Sequence, residues 1–150
     1  MSVAPVPRLY VVVTFVPRRT EVTVGALGTV TFPRGWYAYV GSAARARRAR
    51  VARHLATGKP LRWHADHLFE AFPARRAWLV DGAPGECALA TGLAALPGAE
   101  CRPPRFGAGD CRCAGHLIHL GRRPRRADVA LAAGGEGSAV RAFGRRAPRP

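Results

Sequence analysis

A mixed α/β fold of the α+β kind is predicted by three observations. An apolar, β-branched run lies near the N-terminus, tyrosines alternate with other residues in a second run, and stretches of helical periodicity separate further short apolar runs. Residues 8 to 16, RLYVVVTFV, form the first strand candidate. Residues 21 to 32 alternate about a Gly-Ala-Leu-Gly centre and predict an inserted β-hairpin. Pro33-Arg34-Gly35 turns the chain into a strand over 36 to 41, where a period of two puts Tyr37 and Tyr39 on one face. Gly41 and Ser42 end that alternation, and a helix is predicted from 43 to 57, stopping near Gly58 and Pro60. On it Val51 and Leu55 point inward with Ala44 and Ala52, leaving Arg47, Arg50 and His54 as a row on another face. WHADHLFEAF predicts a second helix with Leu68, Phe69 and Phe72 buried, and 75 to 80 a strand. Residues 84 to 96 predict a helix with Pro84 near its first turn and Glu86 close by, and HLIHL at 116 to 120 predicts a last strand.

At 150 residues the chain is expected to form one domain over 1 to 120. Residues 121 to 150 mix arginine pairs with Ala, Gly and Pro and are expected to be a mobile basic tail, with a short helix an option at 128 to 133. The composition is 48% apolar with a net charge of +15, so a folded chain with a polyanionic partner is expected, nucleic acid first. The single lysine and the absence of Asn and Gln fit a GC-rich coding bias, which accounts for Arg over Lys but not for the shortage of Asp and Glu. Apolar runs are too short to span a bilayer, and Val11 to Val13 ends at Pro17-Arg18-Arg19 without a cleavage site, so a cytoplasmic protein with no membrane partner is expected. No phosphate-binding glycine fingerprint is present, since GSAARARR lacks the P-loop Lys-Ser/Thr pair.

The chemistry concentrates between 35 and 54, where a tyrosine-bearing strand runs into an arginine-rich helix. A phenol beside guanidiniums suits phosphate chemistry, because cations stabilise charge on a phosphodiester and ease formation of a phenolate. Tyr39-Val40-Gly41, followed by Arg50 and by His54 one turn later, resembles the GIY-YIG nuclease superfamily, with Tyr10 in RLYVV as the first motif tyrosine and Glu86 as the later acidic residue. The stretches GWYAYVGSA, RVARHL, RWHADHL, GECALA and GDCRCAGHL are similar to an uncharacterised branch of the domain of unknown function 123 type, sometimes fused to endonuclease-III-like repair enzymes. This resemblance covers residues 8 to 120.

It implies a small, central, mainly antiparallel sheet of about three core strands flanked by helices, and a divalent-metal-dependent endonuclease acting on DNA, in repair or recombination, with a repair enzyme as a candidate partner. Tyr39 would be the general base for the attacking water, Arg50 would stabilise the scissile phosphate, and Glu86 would hold Mg²⁺ or Mn²⁺. Tyr10 would position the water or Tyr39, and His54 would orient a phosphate or the phenol. Ser42, Arg45, Arg47, Arg48 and Arg53 are the candidate nucleic-acid contacts, with His64 and Asp66 as secondary site residues. Three departures stand out. Ser42 replaces a lysine that many members carry, leaving Arg47 as a rival cation; the segment between the motif tyrosines is long; and the late asparagine is absent, with Asp110 as a substitute. A binding module that has lost catalysis is therefore a second expectation. Taken singly, Tyr37 and Tyr39 are ordinary strand aromatics, Arg50 a solvated arginine and Glu86 a helix-start acid.

In a reducing compartment the four cysteines are thiols or metal ligands before they are disulfides. Cys111, Cys113 and His116 are compact, and Cys87, Cys101, His64 or His67 are candidates for a fourth Zn²⁺ ligand, although one residue between the cysteines is fewer than zinc pairs usually leave. Thiols in or near the core are the competing reading, and a zinc-stabilised interaction protein is a third functional expectation. His64, His67 and Glu70 share a helix face, as ligands or as its plain polar side.

Overall fold

In a computed structural model, which describes residues 8–108, 113–135 and 139–144, the N-terminal apolar run forms β1 (Leu9–Val16). The expected hairpin follows as β2 (Thr20–Thr23) and β3 (Thr29–Phe32), joined through a short 3₁₀ turn at Gly25–Leu27, and forms its own two-stranded sheet. The tyrosine strand is β4 (Gly35–Ser42), followed by α1 (Arg47–Leu55), α2 (His64–Ala71), β5 (Arg76–Asp81) and α3 (Glu86–Ala94). A two-residue β6 (Glu100–Cys101), β7 (Leu117–Gly121), α4 (Arg126–Ala132) and β8 (Ala139–Phe143) complete the chain.

The main sheet has the order β6-β7-β4-β1-β5-β8, with every neighbouring pair antiparallel. Six strands exceed the expected three or so, because β6, β7 and β8 extend a core made by β4, β1 and β5. β1 lies inside that core, and its alternation sorts the interior into two layers. Leu9, Val11 and Val13 pack with Val40, Trp78, Val80, Leu89 and Leu93 beneath α3 and α4. Tyr10, Val12 and Val16 pack with Tyr37, Val51, Leu68, Phe69 and Phe106 beneath α1, α2 and the hairpin. A strand buried on both faces has no polar side to show, which is why β1 reads as a continuous apolar run.

Two boundaries bear on the site. The helix expected from 43 begins at Arg47, because β4 runs on to Ser42, the Ala43 N–H donates to the Arg8 carbonyl, and Ala46 sits in the left-handed region at φ 52°. The helix therefore presents a different face from the one expected. Val51 is buried and Leu55 partly so, but Ala44 and Ala52 are exposed, while Arg47 and His54 are buried. Thr14 donates from Oγ1 to the Phe72 carbonyl at 2.7 Å and holds the end of α2 against the sheet.

Residues 121 to 150 do not form the expected mobile tail throughout. α4 covers 126–132, close to the helix option at 128 to 133, and β8 pairs with β5 as an edge strand. Composition hid this because the apolar residues are small: Val129, Ala133 and Val140 are buried, and a β-carbon on Gly92 of α3 would overlap the Ala132 carbonyl of α4. Among the described residues no helix is long and apolar enough to cross a membrane.

Candidate functional site

β1, β4, α1 and α3 all send side chains into a common cleft of about 310 Å³, bringing Tyr10, Tyr39, Arg50 and Glu86 together with Ser42 and Trp63 on its wall. Arg62, His64 and the backbone of Gly107 complete the rim. Tyr10 and Tyr39 lie on the same side of the sheet because β1 and β4 pair Tyr10 with Gly41 and Val12 with Tyr39. That register matters for Gly41, since a β-carbon there would overlap the Tyr10 ring and hydroxyl. Glycine after Val40 thus lets the first tyrosine cross β4 and reach the cleft.

Burial keeps both phenols protonated. Tyr39 is pushed up to about 12, first by burial and then by the charge of Glu86, with Arg50 pulling it back. Tyr10 is also raised, by burial and then by Tyr39, against the opposing pull of Arg50. The expected depression of the tyrosine by nearby cations is therefore outweighed. His54 does not line the cleft. It sits behind, 1% exposed, with Nε2 2.9 Å from the Tyr10 hydroxyl and its ring edge-on to Tyr39 at 5.6 Å. Burial lowers it to about 4, so it is a neutral imidazole that orients Tyr10.

Arg50 donates from Nη1 to the Ser42 carbonyl at 2.9 Å and lies 5.2 Å from the centre of the Trp63 ring. Ser42 itself donates to Glu86 Oε1, and His116 Nδ1 is 3.1 Å from Glu86 Oε2. Both carboxylate oxygens are thus oriented by neighbours. The His116 contact, with the Ser42 hydroxyl adding to it, holds Glu86 below its usual range against the opposing effect of burial. Glu86 is an ionised, partly exposed carboxylate facing a cleft, which fits a hard divalent cation that keeps much of its water. The position expected to hold a lysine holds instead a hydroxyl that serves this carboxylate.

The arginine row divides into three jobs. Arg47 is 3% exposed and binds inward, donating to the Leu9 and Val80 carbonyls at 3.1 and 3.4 Å and to Asp81 Oδ1 at 2.8 Å. It is a structural clasp and neither a nucleic-acid contact nor the rival cation. Arg53 is paired to Asp66 at 2.9 Å and covers Trp63 at 4.9 Å, whereas Arg45 and Arg48 are exposed, Arg48 lying over Phe143. Asp66 is fully buried and accepts from the backbone N–H groups of Arg62 and Trp63, so it shapes the start of α2 rather than entering the cleft. His64 does reach the rim and accepts from the Gly107 N–H at 3.3 Å; burial lowers its pKa. Tyr37 is buried, donates to the Pro33 carbonyl at 2.6 Å and stacks on His119.

His64, His67 and Glu70 do not gather as ligands: His67 lies near Gly25 and Glu70 is exposed. Among the described residues the one cluster with metal-binding geometry is Cys87, Cys113 and His116, without Cys101, His64 or His67. Cys87, Cys101 and Cys113 are thiols. Asp110 and Cys111 lie outside the described residues. Two wall residues escaped the sequence reading, Arg62 and Trp63. The available signal was an arginine and a large aromatic immediately before a helix start.

An antiparallel α/β protein with a polar, arginine-bearing cleft is the class that this fold and site define. The chain belongs to the family described as domain of unknown function DUF123, which it matches over residues 9–136, from the first residues of β1 to beyond α4. No curated protein and no solved structure matches it.

Proposed function

We propose that this protein is a divalent-metal-dependent endonuclease of the GIY-YIG kind, hydrolysing DNA phosphodiester bonds in repair or recombination. The observation that carries the reading is the convergence of Tyr10, Tyr39, Arg50 and Glu86, from four separate elements, on one open cleft. Arg50 supplies a fixed positive charge for a phosphate, tethered by its bond to the Ser42 carbonyl. Tyr39, once ionised to the phenolate, would take the proton of the attacking water, and Tyr10, held by His54, fixes its neighbour's surroundings. Magnesium or manganese on Glu86 would polarise a phosphate oxygen, acidify a bound water and offset the carboxylate charge that raises Tyr39. Trp63, 41% exposed and in contact with Arg50 and Arg53, adds an aromatic surface to the cleft against which a base could pack.

The test is nicking of plasmid, flapped, bubbled and damaged DNA with Mg²⁺ or Mn²⁺. Chelator-sensitive cleavage lost in Tyr39→Phe, Arg50→Ala and Glu86→Ala is expected; no cleavage of any substrate, or unchanged cleavage in these variants, ends the assignment. A second reading, a nucleic-acid-binding module without turnover, is favoured by one observation, the Tyr39 hydroxyl pushed up to about 12. Salt-sensitive DNA binding without chelator-sensitive turnover would select it.

A further inference from the structure

We propose that Cys87, Cys113 and His116 form a zinc site that shares its histidine with Glu86 of the cleft. One ligand atom from each of the three residues lies within 4.8 Å of the others. Cys87 Sγ and His116 Nε2 are 3.6 Å apart. With Zn–S of about 2.3 Å and Zn–N of about 2.0–2.1 Å, two ligands of a tetrahedral zinc stand roughly 3.6 Å apart, so this pair is already at ligand spacing.

The donors come from two parts of the fold and are held there. Cys87 is in the first turn of α3, while Cys113 and His116 immediately precede β7. The His116 backbone is fixed on both sides, its N–H donating to the Phe106 carbonyl at 2.7 Å and its carbonyl accepting from the Val40 N–H at 2.9 Å. The ring then bridges two environments. Nδ1 faces Glu86 Oε2 at 3.1 Å, and Nε2 faces Cys87. A carboxylate beside Nδ1 favours the tautomer protonated there and leaves the Nε2 lone pair to a metal, as carboxylates behind metal-ligating histidines do.

The donor set selects the ion. Two sulfurs and an imidazole suit zinc, whereas the lone carboxylate beyond them suits a hard cation. A cavity of about 450 Å³, lined by Glu86, Cys87, Gly107 and His116, leads to the cluster and has room for water as fourth ligand. Zinc here would hold the His116 tautomer and so the direction of the Glu86 carboxylate. It is a positioning site, one residue away from the cleft's own acid, and it stands whether or not that cleft cleaves phosphodiesters.

The experiment uses the full chain, stripped with a chelator and reloaded with Zn²⁺ or Co²⁺ alone. Expected are about one ion per chain after desalting, thiolate-to-cobalt charge-transfer absorption, and a rise in thermal midpoint on reloading. Cys87→Ser, Cys113→Ser and His116→Ala should each weaken retention at least about tenfold, and Cys101→Ser should retain the ion. Wild-type protein that holds no stoichiometric zinc, or whose cobalt form lacks thiolate absorption, overturns the site. The cobalt spectrum is read on the wild type, so it decides the matter even where a ligand variant misfolds.

Discussion

Gly41 lies directly against Tyr10: any β-carbon at this position would overlap the Tyr10 ring carbon Cζ and the hydroxyl oxygen. The two residues face each other across the β1–β4 ladder, so relieving the contact means displacing the buried Tyr10 ring. Gly41→Ala should therefore destabilise the protein by about 1–3 kcal/mol and push Tyr10 off His54. Denaturant unfolding of Gly41→Ala, Tyr10→Leu and the double variant checks this. A double variant costing the plain sum of the singles would contradict the contact.

His54 couples stability to pH. Its pKa falls from 6.5 in the unfolded chain to about 4 in the fold, with burial as the main cause. The unfolded chain then binds more protons across that window, so this contribution is complete above pH 6.5 and is lost as pH falls towards 4. The shift corresponds to about 3 kcal/mol. His54→Gln should flatten the unfolding free energy between pH 6.5 and 4; Glu86, Asp81 and Asp128, whose pKa values are also lowered, add their own loss further into acid. An unchanged pH slope in His54→Gln would count against a buried neutral imidazole.

Arg47 and Arg50 stand one helical turn apart and should behave oppositely. Arg47→Ala takes the donor from the Leu9 and Val80 carbonyls and leaves Asp81 with Arg141 alone, costing about 3 kcal/mol. Below its unfolding transition it should bind DNA as well as wild type. Arg50→Ala should keep its thermal midpoint within a few degrees and weaken DNA binding. Thermal melts paired with anisotropy titrations at one salt concentration separate the two. Loss of binding in Arg47→Ala at full folding would restore it to the DNA surface.

The contrast between these arginines marks where sequence reading stops. β1 and β4 were legible because a period of two and β-branched residues are local signals, whereas Tyr10, Tyr39, Arg50 and Glu86 were singled out only by the family resemblance of the stretches that carry them. Arg47 could not be told from Arg50, since both sit in one arginine-rich helix and what separates them is the Leu9 and Val80 carbonyls, dozens of residues away. Cys87 could be named only alongside Cys101, His64 and His67 as a candidate ligand, because its approach to His116 is made by α3 packing beside β7. Trp63 gained its place only when two arginine side chains converged on its ring.

Trp63 gives a prediction specific to unpaired bases. Its ring is partly exposed at the cleft and lies against Arg50, Arg53 and the buried His54. Trp63→Leu should weaken binding of a single-stranded oligonucleotide about tenfold, the value of one stacked base, with a smaller effect on duplex. Fluorescence quenching of the wild-type protein by the oligonucleotide supplies an independent readout. Equal single-strand affinity in Trp63→Leu would remove the ring from the binding surface.

β8 tests whether the C-terminal segment belongs to the fold. Val140 is 2% exposed and sits opposite Val80, and Arg126 Nε of α4 donates to the Val140 carbonyl at 2.7 Å, tying helix and strand together. Val140→Ala should cost about 2 kcal/mol through lost packing, and Val140→Asp should prevent stable folding because the carboxylate has no partner there. A chain ending at residue 135 uncovers the β5 edge and should aggregate at concentrations where wild type does not. If instead it melts with the same midpoint as the full chain, the sheet ends at β5 and the segment is dispensable. Because α4 packs on α3, whose first turn carries Glu86 and Cys87, loss of β8 should also lower zinc retention, which neither a passive tail nor a purely electrostatic one would do.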